Sequence, residues 1–208
     1  MKFNPTLYFI TDSTGCSEST LLGTIAAACA GGATMVQLRE KECSGTVYWE
    51  RAKKVKEITD SYGVPLIIDD RADIALACDA AGVHVGTDDL PVAQARRIMG
   101  PDKIVGATAK TAQRALEAQR EGADYLGVGA IYPTATKQTI RTTVEDLKTI
   151  CQAVTIPVCA IGGLTAENCG ILAGSGIRGL CVVSAIMKSR QPEQAAAALR
   201  MKADQLIR

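Results

Sequence analysis

Short apolar runs recur along the chain, separated by longer segments in which alanines and charges are spaced at helical intervals. LYFIT (7–11), MVQLR (35–39), PLIID (65–69), GVHV (82–85), KIVGAT (103–108), YLGVG (125–129), PVCAIGG (157–163) and GLCVVS (179–184) predict eight strands. The segments between them, such as ADIALACDA, TAQRALEAQREG and VEDLKTICQAV, predict helices, and PEQAAAALRMKADQLI follows the eighth strand as a last one. Eight β-then-α units over residues 1–208 match an α/β fold, a single-domain (β/α)8 TIM barrel. Such barrels typically run to about 250 residues, with about 200 at the lower end, so 208 residues demand short loops. A doubly wound open sheet is the alternative from pattern alone. It ordinarily has fewer strands and a glycine fingerprint after the first, whereas here the first strand ends in Thr11, Asp12 and Ser13.

Composition narrows the partners. Lys plus Arg number 23 against 22 Asp plus Glu, so neither a nucleic-acid surface nor a polybasic membrane patch is expected. The apolar run near the N-terminus is too short for a signal-peptide core, and no stretch approaches the ~20 apolar residues of a membrane span, which predicts a cytoplasmic protein. Eight cysteines invite a disulfide reading, but Cys29, Cys78, Cys159 and Cys181 sit inside apolar patterns and no CxxC occurs. Most of the eight read as small buried hydrophobes in a reducing compartment.

A barrel places its site at the C-terminal ends of the strands, and the polar residues gather there. Strand two ends in Gln37, Arg39, Glu40 and Lys41, strand three in Asp69 and Asp70, and the turn after strand four carries Asp88 and Asp89. Pro65 to Leu90 reads as strand, helix, strand, and so short a crossover implies neighbouring parallel strands whose terminal carboxylates converge. Paired oxygen ligands of this kind suit Mg²⁺. Ordinary polarity at strand-to-loop turns is the competing explanation. Strand five ends in Thr108, and strand six runs into YPTATK, with Thr134, Thr136 and Lys137. Strands seven and eight end in Gly162 and Gly163 and in Val183 and Ser184, and are expected to enter helices whose backbone N–H groups form a phosphate cradle. Two simple tight turns would use the same residues. Two anion regions thus appear at the mouth, one cationic and metal-binding, suited to a diphosphate, the other a backbone cradle suited to a monophosphate. His84, the lone histidine, stands in mid-strand, where a hydrogen-bonded structural role competes with a catalytic one.

The stretches YFITD, VQLREK (36–41), IIDDRADIALA (67–77), AAGVHVGTDDL (80–90), ADYLGVGAIYPTATK (123–137), PVCAIGGL (157–164) and VVSAI (182–186) together resemble the thiamin phosphate synthase family, in order and spacing. The resemblance implies Mg²⁺-assisted coupling of hydroxymethylpyrimidine diphosphate to hydroxyethylthiazole phosphate with release of diphosphate. It assigns Gln37, Arg39, Lys41 and Asp69 to the pyrimidine diphosphate, Lys137 to its phosphates, and Asp70 and Asp89 to the metal. Thr134, Thr136, Gly163, Val183 and Ser184 fall to the thiazole phosphate. Lys137, Arg39 and Thr108 are expected to act in the chemical step, which in this family is dissociative. The chain departs from the family pattern in Asp69, where Asn is usual, and Thr108, where Ser is usual. Asp69 is expected either to join Asp70 on the metal or to accept from the pyrimidine's amino group. A thiazole tautomerase of the same fold would need no diphosphate site, so VQLREK, both metal-position aspartates and PTATK argue against it. A non-catalytic barrel that binds thiamin phosphates is the third reading.

Overall fold

The computed structural model describes residues 3–134 and 140–207. Eight parallel strands close into a barrel in chain order: β1 (Leu7–Ile10), β2 (Met35–Leu38), β3 (Leu66–Asp69), β4 (Gly82–Val85), β5 (Ile104–Thr108), β6 (Tyr125–Gly129), β7 (Val158–Ile161) and β8 (Gly179–Val182). β8 pairs with β1 through Leu180 opposite Leu7 and Val182 opposite Phe9, so no sheet edge remains. Around it lie α1 (Glu18–Ala30), α2 (Gly45–Ser61), α3 (Ala72–Ala77), α4 (Val92–Met99), α5 (Ala112–Arg120), α6 (Val144–Ala153), α7 (Ser184–Met187) and α8 (Pro192–Leu206). Ser17, Ser44, Thr111 and Thr143 begin α1, α2, α5 and α6 by accepting a first-turn N–H through their hydroxyls. Among the described residues, no helix is long and apolar enough to cross a membrane.

Side-chain alternation along each strand divides the core in two. Outward residues such as Phe9, Val36, Ile68 and Leu180 pack under the helices. Inward residues Tyr8, Ile10, Met35, Ile67, Ile104, Tyr125, Cys159 and Cys181 fill the barrel. Five inward positions are glycine, and the reason is space. A Cβ on Gly106 would fall 2.1 Å from Tyr125 Cζ, and one on Gly129 2.0 Å from the Ile161 carbonyl oxygen. The barrel thus alternates large and absent side chains, and Tyr125 occupies the volume that Gly106 vacates.

The structure corrects two details of the predicted helices. ADIALACDA is helical for only six residues, because Asp79 turns the chain at φ 53. After β7 the chain enters no α-helix: Cys169–Leu172 is a 3₁₀ turn within a segment where Gly162, Gly163, Gly174 and Gly176 all take positive φ. All eight thiols are free, and Cys29, Cys78, Cys159 and Cys181 are buried, as their apolar surroundings predict, together with Cys169.

Candidate active site at the barrel mouth

The last inward residues of β2 to β5 are Gln37, Asp69, His84 and Thr108, and with Tyr8 they form the floor of a cavity at the C-terminal end of the barrel. Arg39, Lys41, Asp70, Asp89, Thr134, Gly162, Gly163, Val183 and Ser184 line its walls. Every predicted site residue within the described range therefore borders one cavity. Thr136 and Lys137 lie outside the described residues.

One wall is charged. Lys41 bonds the carboxylate of Asp70 and, at 3.0 Å, that of Asp69, while Arg39 Nε stands 3.7 Å from Asp69. Burial opposes the charge on Lys41, yet the two aspartates hold its pKa above the ordinary lysine range. Burial likewise pushes the Asp69 carboxyl up, with Lys41 and Arg39 offsetting part of the shift. Strand alternation would aim Asp69 and Asp70 to opposite sides. Asp70, however, takes φ 61, Arg71 N–H donates to the Asp69 carbonyl at 2.7 Å, and this tight turn brings both carboxylates to Lys41. A non-glycine residue at positive φ is strained, and strain of this sort collects at functional sites. Asp89 reaches the same corner, anchored by Gly86 N–H at 2.9 Å. Burial, then the hydrogen bond and charge of Asp70, raise the Asp89 carboxyl above its usual range.

Across the floor runs a chain of hydrogen bonds that sequence reasoning missed. Gln37 Nε2 donates to Tyr8 OH (2.7 Å), the Tyr8 and Tyr125 hydroxyls are 2.7 Å apart, Tyr125 OH is 3.1 Å from His84 Nδ1, and His84 Nε2 is 3.0 Å from Thr108 Oγ1. Burial raises both phenol pKa values well above 10, so both stay protonated. With Tyr8 accepting from Gln37, each hydroxyl donates to the next group, His84 accepts at Nδ1, and its Nε2–H donates to Thr108. Gln37 is left with its oxygen, and Thr108 with its hydroxyl hydrogen, to present to the cavity. His84 is thus hydrogen-bonded on both sides and borders the cavity as well. The available signal was YLGVG, in which glycine at every second position marks an inner face beside bulky neighbours. Lys110, just past β5, also lines the mouth.

The opposite wall is formed by the turns after β7 and β8. Gly162 and Gly163 take φ 104 and 64, and added Cβ atoms would fall 2.4 Å from Ala130 Cβ and 2.7 Å from Tyr132 Cβ. These glycines therefore let residues 130–133 pack against the turn, where Tyr132 N–H bonds the Gly162 carbonyl at 3.0 Å. Asn168 closes the loop by donating to the Gly163 carbonyl and accepting from Thr165 N–H. Val183 leads into the short helix α7, whose first N–H groups have no acceptor within the helix.

Comparison with known proteins agrees with this architecture. The family model described as thiamine monophosphate synthase matches residues 7–186. Thiamine-phosphate synthase 2 of Streptococcus pneumoniae is 55% identical over 188 residues, 90% of each chain. A thiamine-phosphate synthase of Enterococcus faecalis is 53% identical over 89% of this chain and 88% of its own. The solved structure of thiamine phosphate pyrophosphorylase from Pyrococcus furiosus superposes with a TM-score of 0.89 at 35% identity, covering 100% of this chain and 98% of that one. A family match across all eight strands and from α1 into α7, with relatives this similar over nearly their whole length, leads to one conclusion: the chain belongs to the thiamine monophosphate synthase family.

Proposed function

We propose that the chain condenses hydroxymethylpyrimidine diphosphate with hydroxyethylthiazole phosphate, forming thiamin phosphate and releasing diphosphate. The observation that carries this reading is the division of one cavity into a charged wall, a polar floor and a wall of backbone turns. Arg39 and Lys41 hold the diphosphate, Gln37 accepts from the pyrimidine's amino group through its oxygen, and Thr108 donates to the ring. Thr134, Gly163, Val183 and Ser184 take the thiazole phosphate, joined by Thr136.

Magnesium fits this donor set. Among the described residues no three His, Cys, Asp or Glu side chains are grouped to hold a metal. Mg²⁺, however, usually takes one or two carboxylates and leaves its other positions to water and phosphate. Asp70 and Asp89 are such a pair: burial and, after it, the neighbouring Asp70 raise the Asp89 carboxyl, and a cation between the two would favour both charges. Bound there, the ion would neutralise charge gathering on the departing diphosphate.

The coupling needs no protein nucleophile. The C–O bond breaks with its electron pair leaving on diphosphate, and the pyrimidine methyl cation is captured by the lone pair of the thiazole nitrogen. The Gln37 oxygen faces the growing positive charge, Arg39 and Lys41 face the growing negative charge, and both substrates are held in one mouth. Lys137 adds a further cation for the diphosphate. Lys137→Ala is expected to lower kcat by about 10²-fold while changing KM less, because leaving-group charge develops only as the bond breaks. Steady-state kinetics on the pyrimidine substrate check this, and an effect confined to KM would make Lys137 a ground-state clamp.

Asp69 is set against the substrate it faces, since its carboxylate occupies Arg39 and Lys41, the cations assigned to diphosphate. Unit charges ~4 Å apart repel by ~1 kcal/mol in water and ~4 kcal/mol at an effective dielectric of 20. Asp69→Asn should therefore remain active and lower the KM for pyrimidine diphosphate at least about fivefold. A higher Mg²⁺ requirement in this variant would instead show that Asp69 shares the ion. The reaction itself is tested by mixing both substrates with Mg²⁺ and measuring diphosphate. Isomerisation of a thiazole phosphate without diphosphate would favour the tautomerase reading, and binding without turnover the non-catalytic one.

A further inference from the structure

The end of β2 carries its two cations, Arg39 and Lys41, on either side of Glu40, and the three side chains do not point the same way. Gln37, Arg39 and Lys41 border the cavity, whereas the side chain of Glu40 is only 3% exposed and is turned to the helix layer. There its Oε2 accepts from Ser13 Oγ at 2.6 Å and from Arg51 Nη1 of α2 at 2.7 Å. Glu40 Oε1 and Arg51 Nε are also buried, with no hydrogen-bond partner. A buried ion pair with an unsatisfied atom on each side is a poor way to gain stability, and an apolar pair of similar size usually does as well or better.

What the pair does achieve is geometric. In extended chain successive side chains alternate, so drawing Glu40 outward turns Arg39 and Lys41 inward together. The backbone is tied at each step before it: the Leu38 carbonyl accepts from Tyr48 OH at 2.7 Å, and Arg39 N–H donates to Thr11 Oγ1 at 3.0 Å. The Glu40 side chain supplies the next tie. Without it, Arg39 and Lys41 are restrained only at their tips, by Asp69 and Asp70, the carboxylates a bound diphosphate competes with, and the backbone between them is left free to shift.

We propose that Glu40 and Arg51, braced by Ser13, are positioning residues that hold Arg39 and Lys41 in register for a diphosphate group. The inference rests on the assignment of Arg39 and Lys41 to the diphosphate, and inorganic pyrophosphate with Mg²⁺ is the probe, read by calorimetry. The double variant Glu40→Leu with Arg51→Met removes one charge of each sign, so the net charge near the mouth is unchanged. It is expected to keep a thermal midpoint at or above that of the parent and the parent's KM for thiazole phosphate, yet bind pyrophosphate ~10- to 100-fold more weakly. Parent-like pyrophosphate affinity in the folded double variant overturns the proposal. Should the double variant not fold, Ser13→Ala removes one of the two Glu40 bonds at a more exposed position. A severalfold loss of pyrophosphate affinity there, with unchanged KM for thiazole phosphate, supports the proposal, and no loss overturns it. Arg39→Ala and Lys41→Ala separate the two levels of argument: if they retain pyrophosphate binding, the diphosphate assignment itself fails. If they lose it while the Glu40 and Arg51 changes do not, only the positioning role fails.

Discussion

Replacing Asp70 by alanine is expected to reduce turnover about 10³-fold at ordinary Mg²⁺ concentration while leaving the barrel folded. The strained turn at Asp70, with φ 61, brings its carboxylate beside Asp89, against Lys41 and next to Asp69. On the assignment proposed above, alanine removes one of the two carboxylates that would hold Mg²⁺ and leaves Lys41 paired to Asp69 alone, so the leaving diphosphate would lose counter-charge where it forms. The fold does not depend on that carboxylate, since the turn is held by backbone bonds from Asp70 N–H to the His84 carbonyl and from Arg71 N–H to the Asp69 carbonyl. Turnover assayed across a Mg²⁺ titration, alongside a thermal melt, separates chemistry from folding. Excess chelator should reproduce the loss in the parent protein. Persistent activity in chelator would remove the metal from the mechanism.

Gly106→Ala is the second change expected to have a large effect, this time on the fold. The added Cβ falls 2.1 Å from Tyr125 Cζ and 2.3 Å from its hydroxyl oxygen, inside the filled barrel. Tyr125 is fully buried and cannot yield without breaking its bonds to Tyr8 and His84. Overpacking costs ~1–3 kcal/mol, and stranded buried hydrogen-bonding groups add ~1–3 kcal/mol each, so a loss of about 3–5 kcal/mol is expected. For a domain of this size that lowers the thermal midpoint by ~10 °C or more. The bond from Tyr125 to His84 goes with it, freeing the His84 tautomer and with it the Thr108 hydroxyl, so activity below the melting point should fall too. Gly23→Ala is the control: on α1, with nothing within 4 Å of its added Cβ, it should stabilise by roughly 0.5–1 kcal/mol. A harmless Gly106→Ala would mean that the barrel interior is looser than its contacts imply.

The order and number of strands were legible in the sequence because parallel strands buried on both faces are continuous apolar runs, and each run ended within about two residues of the observed strand. Polar residues at the ends of those runs were legible for the same reason. A polar residue on the inward face at the C-terminal end of such a run meets the open mouth of a filled barrel, and Gln37, Arg39, Asp69, Asp89 and Thr108 do border it, whereas Glu40 turns outward to α2. Tertiary structure alone decided how those residues meet. Alternation predicts opposite directions for Asp69 and Asp70, and the positive φ that unites them is a local conformation the Asp-Asp pair does not announce. Gly162 and Gly163 read as a ligand cradle, but their missing Cβ atoms make room first for Ala130 and Tyr132. Nothing local links Tyr8 to Tyr125, which lie 117 residues apart until ring closure brings their hydroxyls within 2.7 Å. Period and polarity are properties of a segment and are written in it, whereas convergence depends on closing the sheet, on which large side chain each glycine admits, and on where the backbone leaves its regular conformation.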